Sequence, residues 1–354
     1  MSIIFAIILF SLLIFVHELG HFLVAKASGV QVNEFAIFMG PAIWKKKKGD
    51  TLYSIRCIPI GGYCAMEGED SDTDNPRSFQ KAAWWKRLCV LIAGSMMNLI
   101  IGVLLFAIVF GCSMNYFPQN EVKSFEECSL LVGENSLQPG DRIIKINGER
   151  MYTTDDFSTL LFYFADRQTH DLLIERDGKK MELSDVPILP HEHTEDGKTY
   201  SHYGINFKSV DAGVFSCLGY TMKRTVGTVN SVRLSLQMLF TGKAGLSDMT
   251  GPVGIVQQMS SVANASGSWG AALINLLYFG GFIAINLAVM NMLPIPALDG
   301  GRVVALLLTT TIEAITKKKL NPKYEGYIHA AGMVLLLVLM AVILFKDIFV
   351  IFKG

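Results

Sequence analysis

Residues 15–23 read FVHELGHFL and place three ionisable side chains near the end of an apolar stretch that spans residues 3–25. A stretch of about 20 apolar residues is long enough for a helix that crosses a bilayer. An ionisable side chain inside such a helix is costly, at about 2.5–3.5 kcal/mol for Asp on insertion scales, and it usually marks a functional site. His17, Glu18 and His21 are therefore the starting point for both the fold and the chemistry.

Three more apolar stretches have the length of a membrane span, and hydrophobic residues make up 51% of the chain. These stretches are residues 88–110, 271–293 and 330 to about 345. The first stretch lacks the basic start and the small-residue cleavage pattern of a signal peptide, so we expect a retained helix. The sequence thus predicts a polytopic α-helical membrane protein with four transmembrane helices.

Charge and cysteine content exclude several classes of protein. Lys plus Arg and Asp plus Glu number 31 each, so the chain has no general attraction for nucleic acid and we expect no nucleic-acid partner. The six cysteines form no CxxC pair, which argues against a zinc ribbon or a disulfide framework. Basic residues are concentrated between spans one and two and between spans three and four, which predicts that both segments are cytoplasmic and both termini outside.

The long segment between spans two and three predicts a domain of its own. Within residues 122–208, strand-like stretches alternate with turns such as Pro139-Gly140 and Asn147-Gly148. The stretch SLQPGDRIIKINGE resembles the PDZ-domain signature in the circularly permuted form used by bacteria. That resemblance implies a β-rich PDZ-like domain that takes a peptide ligand at a sheet edge. The alternative is a rigid spacer.

After this domain, apolar residues recur at helical spacing, but basic residues interrupt any continuous apolar run. The pattern predicts an amphipathic helix on the membrane surface rather than a fifth span. Its apolar positions are Phe215, Leu218, Met222, Val226, Val229, Val232, Leu236 and Leu239.

The sequence HELGH has the pattern HExxH. On a helix, residues four apart lie on one face, so His17 and His21 can direct two imidazoles at one metal ion while Glu18 lies beside it. Neutral imidazole suits Zn²⁺, and a carboxylate next to a metal-bound water can accept its proton. The alternative interpretation is a buried polar network without a metal.

A catalytic zinc site needs a third protein ligand and an open position for water. Nothing downstream of His21 has the metzincin extension. The third apolar stretch instead runs into NMLPIPALDGG, residues 291–301, where two prolines break the helix just before Asp299. Such breaks at membrane depth are tolerated where they are buried in protein or line a wet cavity. Asp299 is the candidate third ligand, with a helix-terminal loop carboxylate as the alternative.

Taken in order, HELGH, the single PDZ-like domain and NMLPIPALDGG resemble the site-2 protease family of intramembrane zinc metalloproteases, in its bacterial regulator of sigma-E protease branch. The stretch GGYCAMEGE, residues 61–69, is similar to the family's membrane-dipping β-loop. The stretch AGSMMN, residues 93–98, is similar to the family's AGPxxN, with Ser95 in place of the proline.

The resemblance implies a role for each matching position. His17, His21 and Asp299 would be zinc ligands, Glu18 the general base, and Asn291 a residue that holds the substrate backbone. A substrate helix must unwind before cleavage, and an edge strand with Gly61, Gly62, Tyr63 and Met66 could bind its freed backbone by β-addition, with an ordinary cytoplasmic hairpin as the alternative. The implied partners are single-span transmembrane substrates, such as anti-sigma factors or signal-peptide remnants, and the lipid bilayer of a bacterial inner or cytoplasmic membrane.

The expected organisation has four parts. Residues 1–118 form transmembrane helices one and two, residues 119–210 the PDZ-like domain, residues 211–265 the amphipathic helix and a linker, and residues 266–354 transmembrane helices three and four. Two other functions remain open on the sequence. One is a non-enzymatic membrane scaffold with a structural metal site, in which Glu18 would have no purpose. The other is a zinc transporter, which would need further intramembrane ligands along a path.

Overall fold

The computed structural model of the chain describes residues 2–69, 73–125, 136–195, 198–245, 251–317 and 322–353. Within these residues the helices are α1 (Ser2–Ser28), α2 (Trp84–Ser113), α3 (Asp155–Tyr163), α4 (Val214–Phe240), α5 (Pro252–Ala265), α6 (Trp269–Asn291), α7 (Asp299–Thr316) and α8 (Pro322–Lys353). The strands are β1 (Val32–Lys48), β2 (Thr51–Met66), β3 (Tyr116–Phe125), β4 (Arg142–Ile146), β5 (Glu149–Arg150), β6 (His170–Arg176), β7 (Lys179–Val186), β8 (His191–Glu195), β9 (Lys198–His202) and β10 (Ile205–Asp211).

The chain divides into two compact units. The membrane unit comprises residues 1–105 and 245–354, and the inserted unit comprises residues 106–244. Helices α1, α2, α6 and α8 each contain a segment long and apolar enough to cross a membrane, which confirms the four predicted spans. Helix α6 begins after Ser268, whose Oγ accepts the N–H of Ala271, and it ends before Pro294, which cannot continue a helix.

Strands β1 and β2 form a small sheet in the membrane unit. Residues 34–37 of β1 pair on one side with residues 62–65 of β2 and on the other side with residues 52–55. The second half of β1 pairs with the start of β2 as an ordinary hairpin. Among the described strands, none pairs with the outer side of residues 62–65, so this segment is an edge of the sheet.

One apolar core of the membrane unit joins the sheet to helices α1, α2 and α7. Its buried members include Ala25, Phe35, Met66, Val90 and Leu306. Burying side chains of this size contributes roughly 1.5–3 kcal/mol each. The core fixes the ends of α1, α2 and β2 relative to one another, and it therefore fixes the polar residues that these elements carry.

The inserted unit contains an antiparallel sheet with the strand order β10-β3-β4-β6-β7, and β5 pairs with β4. Buried Asp141 accepts two hydrogen bonds of 2.7 Å from the guanidinium of Arg176, which joins the start of β4 to the end of β6. This paired arrangement of an arginine and a carboxylate is strong and geometrically specific. The predicted β-rich insertion is confirmed, whereas its PDZ-like identity stays a prediction.

Helix α4 belongs to the inserted unit, and of its predicted apolar positions Val232 is buried whereas Phe215, Leu218, Met222 and Val226 are exposed. Phe215 is 90% exposed and Leu218 is 55% exposed within the described structure. The buried face carries mostly small residues, namely Tyr220, Thr221, Thr225, Gly227, Thr228, Val232 and Leu234. The exposed part of the predicted stripe thus lies in the first half of the helix, and its placement on a membrane surface stays a prediction.

Two helices of the structure were not predicted from the sequence. Helix α5 occupies part of the expected linker, and α7 occupies the segment expected to connect the third and fourth spans. Helix α7 begins at Asp299 and carries buried Val303 and Leu306 on one face. That face packs into the core of the membrane unit, and the packing places Asp299 next to helix α1.

Candidate metal centre

His17 and His21 of helix α1 direct their imidazoles toward each other on one face of the helix. The two Nε2 atoms are 3.2 Å apart, and the two residues are only 9% and 7% exposed. The spacing of four residues explains this geometry, because side chains one helical turn apart lie on the same face.

Asp299 completes the cluster from the first residue of α7. Its Oδ2 atom lies 3.2 Å from Nε2 of His17 and 3.3 Å from Nε2 of His21. This oxygen is buried and accepts no hydrogen bond with acceptable geometry within the described residues. A buried acceptor without a hydrogen bond is costly, and a shared cation is one way to satisfy it.

The three atoms fit a zinc ion. Zinc–nitrogen bonds of about 2.0–2.1 Å in a tetrahedral site put neighbouring ligand atoms about 3.3–3.4 Å apart. The separations among the two Nε2 atoms and Oδ2 are 3.2, 3.2 and 3.3 Å. Two imidazoles and one carboxylate also form a known ligand set of catalytic zinc. These are the residues of the described structure that could hold a metal ion.

The outer nitrogens of both rings contact neighbouring helices. Nδ1 of His21 lies 2.8 Å from the carbonyl oxygen of Val90 on α2. That bond assigns the proton to Nδ1 and leaves the lone pair of Nε2 for the cluster. Nδ1 of His17 lies 3.5 Å from the side-chain amides of both Asn98 and Asn291. In both amides the atom nearest to the ring is Nδ2, and turning either amide over would present its oxygen as the acceptor that a proton on Nδ1 needs.

One face of α2 lines the cluster at intervals of one helical turn. Val90, Gly94 and Asn98 follow one another at this spacing. A Cβ atom added at Gly94 would lie 2.3 Å from Nε2 of His21 and 2.7 Å from Cε1 of His17. The absence of a side chain at Gly94 therefore leaves space for the imidazoles and for an ion between them.

Glu18 faces the edge segment of β2. A Cβ atom added at Gly62 would lie 3.7 Å from Cγ of Glu18 and 2.9 Å from the carbonyl oxygen of Ala36. A Cβ atom at position 62 would thus crowd strand β1 and be in ordinary van der Waals contact with Glu18. The structure brings the carboxylate of α1 and the predicted substrate-binding strand side by side.

The other predicted residues of the β-loop lie in different surroundings. Gly61 has a φ angle of +82°, which favours glycine, and bends β2 against Met39. The hydroxyl of Tyr63 is hydrogen-bonded to the guanidinium of Arg56. Met66 is buried in the apolar core. The side chains of Tyr63 and Met66 therefore anchor the strand, and contact with a substrate would go through its backbone.

Sequence reasoning assigned no role to Val90, Gly94 or Asn98, although two of them lie in the AGSMMN stretch. The repeat of four residues from Val90 through Gly94 to Asn98 was a usable signal, since it predicts one helix face. Asn291 was predicted to hold a substrate, and the structure places it beside His17.

A helix with the HExxH pattern and a carboxylate beside it as the third ligand is an arrangement found in zinc metalloproteases, and here the two histidines are on an apolar helix. The model of Peptidase family M50 matches residues 5–339. The chain belongs to this family, the site-2 proteases, and it is a multi-pass intramembrane zinc metalloprotease.

Relatives agree with this membership. A Clostridium acetobutylicum protein, provisionally named a zinc metalloprotease, is 38% identical over 98% of this chain and 97% of its own length. A Clostridium perfringens protein with a name of the same kind is 36% identical over 98% of both chains. The regulator of sigma-W protease RasP of Bacillus subtilis is 28% identical over 97% of both chains.

Proposed function

We propose that the chain hydrolyses peptide bonds within the transmembrane segments of single-span membrane proteins. The observation that carries the proposal is the separation of 3.2–3.3 Å among Nε2 of His17, Nε2 of His21 and Oδ2 of Asp299. Two of these three residues, His17 and His21, are on a helix that is itself long and apolar enough to cross the membrane. A protease site at that depth is suited to substrates that are also in the bilayer.

In this proposal His17, His21 and Asp299 hold Zn²⁺, and Glu18 is the general base. Zinc, when bound, polarises a peptide carbonyl and makes a water molecule more acidic. Glu18 accepts the proton of the attacking water and passes it to the leaving amine. Glu18 is offset by about 100° from His17 around the helix, so its carboxylate lies beside the cluster rather than within the ligand set.

The substrate helix must unwind locally, because its own hydrogen bonds hide each peptide bond. Its freed N–H and C=O groups then need partners in an apolar environment. The unpaired edge of residues 62–65 offers backbone groups next to Glu18. β-Addition at this edge would hold the substrate extended, and the amide of Asn291 would hold its backbone beside His17.

The class of substrate follows by similarity to RasP, whose name describes a regulator of sigma-W. We propose membrane-anchored anti-sigma factors or signal-peptide remnants as substrates, in a bacterial cytoplasmic membrane. With both basic segments in the cytoplasm, the two termini and the PDZ-like domain, residues 119–210, would lie outside. That domain would bind a peptide of the substrate. In the rest of the chain, residues 1–118 would form transmembrane helices one and two, residues 211–265 the amphipathic helix and linker, and residues 266–354 transmembrane helices three and four.

A reconstituted assay tests the proposal. Purified full-length protein in detergent or liposomes is incubated with a single-span substrate before and after zinc removal, and mass spectrometry locates the cleaved bond. We expect cleavage inside the apolar segment, loss of cleavage with a chelator and recovery with added zinc. Capture of the substrate without cleavage under all three conditions would instead indicate a scaffold.

A further inference from the structure

The turn that leads into Asp299 is held by a residue outside both adjoining helices. It joins α6 to α7 and contains Pro294 and Pro296, which have no backbone N–H to donate. Four other amides of the turn donate to backbone carbonyls no more than three residues away, namely those of Met292, Leu293, Ile295 and Leu298. The N–H of Ala297 differs, because it donates over 3.2 Å to Nδ1 of His329 on α8.

Ala297 has an unusual backbone conformation. Its φ angle is +82°, a region that residues with a side chain rarely adopt. Such a conformation persists only where surrounding contacts determine it. The hydrogen bond to His329 fixes the orientation of the Ala297 amide and is one of those contacts.

Helix α8 meets the same turn a second time, at Gly332. A Cβ atom added at Gly332 would lie 2.4 Å from Cβ of Pro296 and 2.7 Å from its carbonyl carbon and oxygen. Positions 329 and 332 are on one face of α8, since residues three apart are neighbours on a helix. This face of α8 therefore lies directly against the turn.

The start of α7 cannot move independently of the turn. A Cβ atom added at Gly300 would lie 2.3 Å from the carbonyl carbon and oxygen of Met292, and one at Gly301 would lie 2.3 Å from the carbonyl oxygen of Ile295. Asp299 stands between Ala297 and these two close contacts. A displacement of the Ala297 amide is therefore transmitted to the carboxylate of Asp299.

We propose that His329 is a positioning residue for the metal centre. Its Nδ1 accepts the N–H of Ala297, holds the turn in its strained form and keeps Oδ2 of Asp299 within 3.3 Å of both imidazoles. This inference rests on the proposed function, because it takes Asp299 as the third zinc ligand. Residues that orient a metal ligand in this way typically change metal affinity by about 10–100-fold when they are replaced.

Two substitutions distinguish the effect of the hydrogen bond from Ala297 from the effect of the packing of the His329 ring. His329→Phe keeps a ring without an acceptor, whereas His329→Asn keeps an acceptor oxygen near the position of Nδ1 without the ring. Val334→Ala is the matched control, because Val334 is on the same helix with a side chain that is 62% exposed.

The test measures zinc affinity of the purified full-length chain by competition with a chromophoric chelator. The visible absorption of the Co²⁺-substituted protein, which reports coordination geometry, is recorded in parallel. We expect His329→Phe to bind zinc about 10–100-fold more weakly with an altered Co²⁺ spectrum, and His329→Asn to stay within about threefold of the parent protein. Val334→Ala should match the parent in both measurements.

Parental zinc affinity in His329→Phe, or equal losses in the Phe and Asn variants, would overturn the inference. If His329→Phe loses its helical circular dichroism, the comparison of His329→Ala with His329→Asn decides the matter in the same way. Asp299→Ala separates this inference from the proposed function. Zinc retention in Asp299→Ala removes the proposed ligand set, whereas zinc loss there with retention in His329→Phe removes only the role of His329.

Discussion

Nε2 of His21 on α1 lies 3.3 Å from Oδ2 of Asp299 at the first residue of α7. Helices from opposite ends of the chain must therefore pack correctly before the ligand set exists. A metal ion that binds only this packed form stabilises it by mass action. Zinc binding and the packing of α7 against α1 are expected to be coupled in this way.

Space at Gly94 is required for the metal centre. Gly94→Ala would put a Cβ atom 2.3 Å from Nε2 of His21, so the imidazole must move away from Asp299. We expect zinc bound per chain, measured by atomic absorption after gel filtration, to fall by at least about tenfold.

The control for this substitution is on the same helix. Among the described residues outside its own helical turn, a Cβ atom added at Gly111 would have one neighbour within 4 Å, Sγ of Cys217 at 3.9 Å. Gly111→Ala should therefore retain zinc and gain slightly in helix propensity. Full zinc content in Gly94→Ala would show that the imidazoles do not need this space.

An ion pair joins the segment after β2 to α7. Nη1 of Arg302 contacts Oε1 of Glu69, and both side chains are largely buried. Glu69→Gln and Arg302→Gln should each lower the midpoint of thermal unfolding, because each leaves a partly buried charge with one partner fewer. The double variant should lose less than the sum of the single losses, with a coupling of roughly 0.5–3 kcal/mol. Strictly additive losses in the double-mutant cycle would mean that the pair does not act as a unit.

We expect the stability of the inserted unit to depend on pH because of His170. Burial lowers the pKa of His170, and the nearby Arg167 lowers it further. A base whose pKa is lower in the folded state contributes stability that is present above its unfolded pKa of about 6.5 and is lost as pH falls below it. The loss for one group is at most about 1.4 kcal/mol for each pH unit.

Hydrogen exchange of residues 170–176 in the full-length chain, corrected for intrinsic rates, measures this loss. Protection should fall between pH 7.5 and 5.5 in the parent protein. It should change little in His170→Asn, which does not titrate and keeps an acceptor for the Asn147 amide. Equal pH dependence in both proteins would assign the effect to another group.

The sequence predicted those parts of the site that depend on local spacing. His17 and His21 are one turn apart, so helix geometry alone brings them together. Asp299 could be proposed from its depth at a broken helix and from a family resemblance, but its contact with α1 depends on long-range packing. Val90 acts through a backbone carbonyl, which every residue has, and the need for glycine at position 94 becomes evident only once α2 is packed against the two imidazoles.

Helix α4 shows a different limit of sequence patterns. The apolar stripe was visible, yet the buried face also includes three threonines, Thr221, Thr225 and Thr228. Thr225 and Thr228 satisfy their hydroxyls on the carbonyls of Thr221 and Arg224, one turn earlier in the same helix. A hydroxyl satisfied in this way can be buried against a neighbour, so a polar residue type does not identify the exposed face.

The most direct test of the account is the zinc content and cleavage rate of Glu18→Gln. This substitution keeps the size of the side chain and removes the base, while His17, His21 and Asp299 remain. We expect about one zinc per chain, unchanged capture of a single-span substrate, and cleavage reduced by roughly 10²–10⁴ as is typical for loss of a general base. Cleavage at close to the parental rate by zinc-loaded Glu18→Gln would contradict the hydrolytic mechanism.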